Sequence, residues 1–351
     1  MTNKKTTLVL VARATPESMR LLNYVLLPSF LSNWEKVARF IIVCPSKDYS
    51  QLAPIAVGLG AELYADEKFT NIEKLEPYRR QVAIKLLVSS IIETPFYLTL
   101  DCDCLFLPGG EAAMYDKDGR PFLHTNKSQN YYNRYWLENC DKLTGNIRYT
   151  EPMMGFTPQI FIVKHVRDVV AFVENKYNAD FISSIMQWDT AYCRATAPLR
   201  ARIEAMPHTP LKPALVSDAL LQIHQSWGEY ALYWSYILSC SLENDYSIAQ
   251  PLCDKYYMGA RWASYVAHPI PKLTEEELEF DLLAEGFFHY RSPLAVIQST
   301  AGANWDLIAM VLVRYGLIKA ECIVSLPGET SHVCETLEYI RSIKKCNPLL
   351  S

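Results

Sequence analysis

The chain has 351 residues, of which 50% are hydrophobic and 21% are charged. This composition excludes an intrinsically disordered protein and provides enough apolar side chains for a large core. The formal net charge of −4 gives no basic surface for a polynucleotide, so nucleic acid is not an expected partner.

The cysteines and the apolar segments predict the compartment. The ten cysteines are scattered without a Cys-x-x-Cys pair, and no apolar leader precedes them, so we expect reduced thiols in a cytoplasmic protein. The longest apolar stretch, residues 307–326, contains Arg314, Lys319 and Glu321. It therefore predicts a buried helix and no transmembrane segment. The sequence leaves the oligomeric state open.

The first part of the chain alternates strand and helix patterns. Apolar, β-branched runs predict strands at 7–11, 40–43, 62–64 and 96–101, and helical spacing of apolar residues predicts helices at 16–34, 51–59 and 79–92. Strands separated by helices are typical of a mainly parallel sheet with right-handed crossovers. The predicted fold class is α/β.

The second part is less regular. Strands are expected at 122–124 and 159–163, helices at 131–140 and 165–177, and a mostly helical region from Asp180 onward. Without a repeat or a low-complexity linker, we expect one catalytic domain over 1–300, with a boundary near 150 between its two halves, and a helical extension over 301–351.

Asp101 and Asp103 follow an apolar strand, and in open α/β sheets ligands bind beyond the carboxyl ends of the strands. If the chain stays extended, both carboxylates face one side. Mutual repulsion of two carboxylates is relieved by Mg²⁺ or Mn²⁺, which keeps positions open for phosphate oxygens. Asp116 and Asp118 have the same spacing but lie in a polar stretch that predicts an exposed turn. The first pair is therefore the expected metal site.

Three α/β units followed by a strand ending in Asp-x-Asp resemble the GT-A fold of nucleotide-sugar glycosyltransferases, and within it the DUF6492 group. Gln81-x-x-x-Lys85-Leu86 resembles the Gln-x-x-x-Lys-Leu element of that group, Gly155-Phe-Thr-Pro158 its Thr-Pro segment, and Trp227-Gly-Glu-Tyr230 its Ser/Gly-Glu-Tyr element. The resemblance extends over residues 7–300. It implies a GT-A catalytic domain whose first half binds the nucleotide and whose second half binds the acceptor.

Donor-binding residues follow from this resemblance and from position. Gln81 and Lys85 share one helical face, and Lys85 is expected either to face the diphosphate or to pair with Asp101. Thr157 is implied by the Thr-Pro element. Arg13 follows the first strand, where the loop borders the ligand crevice, and could contact base, ribose or phosphate.

Glu229 is the candidate general base. The aromatic residues 233, 234 and 236 follow it, and aromatic faces beside a carboxylate suit a sugar. The alternative is a helix-terminal carboxylate behind a Ser226 cap. Asp189 and Asp218 are weaker candidates for the base.

His289 lies in an aromatic segment late in the chain. A late histidine completes the metal site in many GT-A enzymes, so His289 is a candidate third ligand for the cation. The rival histidines are His124, His208 and His268.

The predicted function is metal-dependent transfer of a sugar from a nucleotide-diphosphate sugar, most simply a UDP-sugar, to a hydroxyl of a glycan or glycoconjugate. Inversion of the anomeric centre is favoured over retention. One alternative is a phosphotransferase of the haloacid-dehalogenase type, in which Asp101 would be the nucleophile. The other is a sugar-binding protein of the same fold without catalysis.

Overall fold

The computed structural model describes the following residues: 6–34, 39–108, 110–123, 125–126, 131–147, 153–154, 157–205, 227–247, 253–256, 294–297, 309, 312–314, 316–319 and 322. Within them, no helix is both long enough and apolar enough to cross a membrane.

The central sheet has five strands. They are β1 (Thr6–Val11), β2 (Arg39–Cys44), β3 (Glu62–Ala65), β4 (Phe96–Leu100) and, following three short strands described below, β8 (Gln159–Ile162). Their spatial order is β3-β2-β1-β4-β8, with the first four parallel and β8 antiparallel to β4. This confirms the predicted α/β class with a mixed, mainly parallel sheet.

Alternate residues of these strands enter two separate cores, one on each face of the sheet. Val9, Ile41 and Tyr97 lie in one core, and Leu8 and Ile42 lie in the other. A sheet that is covered on both faces needs strands that are apolar throughout, which explains why these strands read as continuous hydrophobic runs.

Helices cover both faces of the sheet. Their bounds are α1 (Pro16–Leu21), α2 (Leu27–Asn33), α3 (Tyr49–Leu59), α4 (Pro77–Leu87), α5 (Tyr131–Thr144), α6 (Val163–Tyr177), α7 (Phe181–Glu204) and α8 (Glu229–Ser239). Residues of α4, α6 and α8 pack into the core that contains Val9, and residues of α2 and α3 pack into the core that contains Leu8. A π-helical turn, Leu22–Leu26, joins α1 to α2, so the predicted helix over 16–34 is present as one segment ending at Asn33.

The remaining strands form two small sheets. They are β5 (Cys104–Phe106), β6 (Thr125–Asn126), β7 (Met153–Met154), β9 (Cys253–Tyr256) and β10 (Leu294–Ile297), in the orders β5-β10-β9 and β6-β7. The strand predicted over 122–124 is not formed at its two described residues: Phe122 makes an isolated bridge to Ser247, and Leu123 belongs to no strand. A mostly helical region was predicted from Asp180 onward. This region contains the helices α7 and α8, and it also contains the strands β9 and β10, which were not predicted.

Candidate functional site

The order of the strands identifies one edge of the main sheet. The chain runs from β1 outward through β2 and β3, and then returns to place β4 on the other side of β1. In open α/β sheets, ligands bind at the carboxyl ends of the strands where the order reverses in this way. Arg13 follows β1 and Asp101 follows β4, so they lie at the ends of the two strands that flank the reversal.

A buried lysine is the centre of a polar network at this edge. Lys85 on α4 is 4% exposed, and its Nζ lies 3.0 Å from Oδ1 of Asp101 and 3.1 Å from Oε1 of Glu229. Nζ also donates to Oγ1 of Thr157 at 2.7 Å. One ammonium group on α4 therefore joins residues from three other segments of the chain: the end of β4, the residues before β8, and α8.

Further hydrogen bonds extend the network on both sides of the lysine. Nε2 of Gln81 donates to Oδ1 of Asp101 at 2.9 Å. The Tyr230 hydroxyl lies 2.5 Å from Oγ1 of Thr157 and 3.0 Å from Oγ1 of Thr99, which is buried in β4. The predicted pairing of Lys85 with the first aspartate is thus present, and Gln81 binds the same carboxylate.

The network sets the charges of its members. Burial alone would lower the pKa of Lys85, but Asp101, Tyr230 and Glu229 act on it in the opposite direction and raise it well above its usual value. The lysine is therefore a cation at neutral pH. Burial raises the pKa of Glu229, although the nearby lysine opposes this shift.

The first turn of α8 carries Glu229. The N-cap is Gly228, and a Cβ atom there would lie 3.2 Å from Cε3 of Trp136. Glycine therefore lets α5 and α8 approach closely and positions the start of the helix. Ser226, the alternative cap considered for this helix, lies outside the described residues.

The aromatic residues expected to flank a sugar beside Glu229 are buried. Tyr233 is 0% exposed and Trp234 is 3% exposed, and both belong to the core beneath the sheet. Tyr236 is partly buried against the same core. The prediction that this segment offers aromatic faces to a sugar is therefore wrong, because α8 uses them for packing.

The expectation of an extended Asp-x-Asp segment is also wrong. The chain turns at Cys102 and Asp103, and the Cys104 amide donates to the Asp101 carbonyl at 3.1 Å. The two carboxylates consequently differ in environment: the Asp101 side chain is 31% exposed, whereas Asp103 is 6% exposed.

The second Asp-x-Asp pair forms the predicted exposed turn. Oδ1 of Asp116 accepts from the backbone amides of Asp118 and Arg120, and the Asp118 side chain is 61% exposed.

Asp189 lies in a different ion pair. Nη2 of Arg79 lies 3.4 Å from Oδ1 of Asp189, while Nη1 donates to the Trp227 carbonyl at 2.9 Å. The Arg79 guanidinium lies 5.6 Å from the centre of the Trp227 ring. Arg79 is buried and belongs to the same helix as Lys85. Helix α4 therefore contacts the Trp227 carbonyl through Arg79 and the Glu229 carboxylate through Lys85.

Arg13 lies in the loop after β1. Its charge acts on buried Asp66, which also pairs with Arg80 at 3.6 Å. Burial raises the pKa of Asp66, and both arginines oppose that shift. In the loop after β1, the amide of Ala14 donates to Oδ2 of Asp48 at 3.2 Å.

Several candidates lie outside the described residues: Asp218, His289, His124, His208 and His268. In the part of the chain that the structure does describe, no three His, Cys, Asp or Glu side chains converge as a metal cluster.

The profile of the family described as "Family of unknown function (DUF6492)" matches residues 17–263. The chain belongs to the DUF6492 family. The match spans the lysine network, including Gln81, Asp101 and Glu229.

Three solved structures are similar to this DUF6492 chain. Mouse xyloside xylosyltransferase 1, apo form, is 10% identical with a TM-score of 0.42, covering 84% of this chain and 97% of that chain. The galactosyltransferase LgtC in complex with donor and acceptor sugar analogs is 12% identical with a TM-score of 0.45, covering 92% and 98%. The apo-form glycosyltransferase GlyE of Streptococcus pneumoniae is 11% identical with a TM-score of 0.29, covering 76% and 65%. No curated protein matches the chain significantly.

Three residues of this site were given no role from the sequence. Thr99 is the polar residue in the otherwise apolar run of β4, and a buried polar side chain in such a run is an available signal. Tyr230 directly follows Glu229. Arg79 had no comparable signal, because an arginine on a helix is usually solvated.

Proposed function

We propose that this DUF6492 protein is a metal-dependent glycosyltransferase that moves a sugar from a nucleotide-diphosphate sugar to an acceptor hydroxyl. The observation that carries the proposal is the network at the end of β4, in which Lys85 joins Asp101 to Glu229. It combines a carboxylate at the ligand edge of the sheet with a buried carboxylate whose pKa is raised.

The donor is proposed to bind across the ends of β1 and β4. Asp101 is partly exposed there, and Arg13 and the loop after β1 border the same crevice. Lys85 and Gln81 act by fixing the orientation of the Asp101 carboxylate. A UDP-sugar remains the preferred donor and a glycan or glycoconjugate the preferred acceptor.

Asp101 and Asp103 are the proposed protein ligands for Mn²⁺ or Mg²⁺. Asp101 offers a partly exposed carboxylate at the end of β4, and Asp103 follows it in the turn. Carboxylate oxygens are the donors these cations prefer, and phosphate oxygens and water supply the other positions, so the fit rests on the chemistry of the donors and not on an extended Asp-x-Asp segment. When bound, such a cation offsets the charge of the departing diphosphate. His289 stays a proposed third ligand.

Glu229 is proposed to accept the proton of the acceptor hydroxyl in an inverting reaction. Burial raises its pKa, and a carboxylate with a raised pKa is a stronger base than an exposed one. Lys85 contacts Oε1. Asp189 is less suited to the role of base because it forms an ion pair with Arg79 and is not one of the residues that contact Lys85 in the network described above. Asp218 is a further candidate for the base. If configuration is retained, Glu229 instead positions a sugar hydroxyl.

The site is proposed to lie between two halves of one catalytic domain. Gln81, Lys85 and Asp101 belong to the nucleotide-binding half, 1–150, whereas Thr157 and Glu229 belong to the acceptor-binding half, 151–300. Residues 301–351 are proposed to form a helical C-terminal extension of this domain.

The first experiment measures thermal stability with UDP and GDP in Mn²⁺ and in EDTA, because a ligand that binds the folded state raises its apparent stability. We expect stabilisation in Mn²⁺ alone, and its loss in Asp103→Asn. Asp118→Asn is the matched control, because it changes the second residue of the exposed Asp-x-Asp turn and should behave as wild type. Equal stabilisation by nucleotide in EDTA would remove the metal from the proposal.

The second experiment separates transfer of a sugar from transfer of a phosphate. Three strands precede β4, the strand that Asp101 follows, and the Asp101 carboxylate contacts Gln81 and Lys85. Both observations favour a positioning role over a nucleophilic one. After incubation with phosphoryl donors, intact mass measurement should detect no adduct. A phosphate mapped to Asp101 would establish the dehalogenase-type reading. Nucleotide-sugar binding without turnover would indicate a sugar-binding protein.

A further inference from the structure

One face of α4 leads from solvent into the lysine network. Tyr78, Gln81 and Lys85 are separated by three and four residues, so their side chains lie along the same side of the helix. Tyr78 is 45% exposed, Gln81 is half-buried and Lys85 is 4% exposed. The face is therefore open at the start of the helix and closed at its end.

The contacts of Gln81 and Lys85 define the direction of this face. Both bind Asp101 at the carboxyl end of β4, so the face is turned toward the proposed donor crevice. Tyr78 precedes Lys85 by seven residues, which is about 10 Å along a helix axis. It therefore lies about two turns outward from the centre of the network.

Electrostatics links Tyr78 to the same network. Burial raises the pKa of the Tyr78 hydroxyl, Glu229 adds to that increase, and Lys85 opposes it. The hydroxyl thus lies in reach of the network charges, while nearly half of the residue surface stays in solvent. Exposure and position together, independent of this shift, place an aromatic ring at the solvent-exposed end of this helix face.

The two aromatic residues that flank Glu229 most closely in the sequence, Trp227 and Tyr230, are committed to packing. Trp227 is 1% exposed and Tyr230 is 6% exposed, and both rings pack in the core that contains Val9, so their faces are covered by other side chains. The exposed large hydrophobic residues in the described part of the chain are Leu31, Val57, Tyr78, Ile147 and Met186. Tyr78 is the aromatic member of this set, and it lies on the face of α4 that carries Gln81 and Lys85.

We propose that the Tyr78 ring is the stacking wall for a pyranose of the substrate, contacted by the C–H face of the sugar while sugar hydroxyls bind the polar network. A flat aromatic face beside a few convergent polar groups is the usual chemistry of sugar recognition. This inference rests on the proposed function and specifies where its sugar binds. The pyranose belongs either to the donor or to the acceptor.

Calorimetric titration of wild type, Tyr78→Phe and Tyr78→Ala in Mn²⁺ tests the proposal. The probes are UDP, GDP, UDP-glucose, UDP-galactose, GDP-mannose and the methyl glycosides of the same sugars. Loss of the ring face should make Tyr78→Ala bind the sugar-containing probe about threefold to tenfold more weakly than wild type, which is roughly 0.6 to 1.4 kcal/mol. Tyr78→Phe keeps the ring and should bind within about twofold of wild type, and UDP and GDP should bind all three proteins equally.

The pattern of losses identifies the sugar. Weaker binding of a nucleotide sugar indicates a donor pyranose, and weaker binding of a methyl glycoside indicates an acceptor pyranose. Unchanged sugar affinity in Tyr78→Ala, or an equal loss in Tyr78→Phe, would overturn the proposal while leaving nucleotide binding intact. If wild type binds no nucleotide in Mn²⁺, the proposed function itself fails. A cooperative urea transition in each variant, with the m-value of wild type, confirms folding.

Discussion

Replacing Lys85 by methionine tests the lysine network most directly. Methionine has a similar length and is tolerated in irregular apolar surroundings, so the change removes the charge with little change in volume. Glu229 then remains buried without its cation, and Asp101 loses one of its two contacts described above.

The size of the effect follows from the exposure of the two carboxylates. Breaking a buried ion pair by removing one partner costs about 3 to 5 kcal/mol. The Asp101 side chain is 31% exposed and can be hydrated, whereas the Glu229 side chain is 8% exposed. The main penalty therefore comes from Glu229, and we expect a loss of about 3 kcal/mol near pH 8.

The loss should depend on pH in a definite direction. Burial already raises the pKa of Glu229, and removal of the lysine raises it further. At a pH above the ordinary pKa of glutamate, Glu229 of the unfolded chain has lost its proton, whereas Glu229 of the folded variant still holds it. Stability consequently falls as pH rises through the raised pKa of the folded state. The difference from wild type should be small near pH 5 and largest near pH 8.

Urea unfolding of Lys85→Met at these two pH values measures the effect, with an unchanged m-value as the check on two-state behaviour. Adding Glu229→Gln to Lys85→Met removes the buried charge and should make the loss independent of pH. Lys117→Met, in the exposed Asp116 turn, is the matched control. A Lys85→Met midpoint equal to that of Lys117→Met at both pH values would refute the reasoning.

Three further changes test single parts of the site. Glu229→Gln should lower turnover about 100-fold with nearly unchanged donor affinity. The rate is measured together with the anomeric configuration of the product, which NMR determines. Inverted product formed at the wild-type rate would assign the base to another carboxylate. Thr157→Val removes a hydroxyl bonded to the Tyr230 hydroxyl and to the lysine, and should cost about 1 to 3 kcal/mol in urea unfolding; an unchanged midpoint would contradict a satisfied network. Arg79→Leu frees the Trp227 carbonyl two residues before Glu229, and should lower kcat more than it weakens UDP binding in Mn²⁺; equal losses would indicate a general effect on folding.

Local sequence was sufficient for the main sheet and for part of the site. Continuous apolar runs predicted β1, β2 and β4 because both faces of the sheet are buried. Gln81 and Lys85 could be assigned to one face of α4, and that helix directly precedes β4. Their meeting with Asp101 therefore required only short-range reasoning.

Contacts between distant segments could not be predicted in the same way. The turn at Asp103 departs from an extended strand because β5 pairs with β10, nearly two hundred residues later, and leaves the main sheet. Burial of Tyr233 and Trp234 depends on packing of α8 against the sheet, which the aromatic composition alone does not specify. The ion pair of Arg79 with Asp189 likewise joins α4 to α7.

The pairing of β5 with β10 has a consequence for how the protein is made. The parallel strands β1 to β4 lie within the first hundred residues and can associate early in synthesis, because domains begin to fold while the chain is still growing. The segment after Asp103 must wait for Leu294–Ile297 to leave the ribosome, and contacts so distant in sequence form slowly. The proposed metal-binding turn is therefore among the last parts to reach its final shape, and a nascent chain shorter than this strand should not yet bind nucleotide in a metal-dependent way.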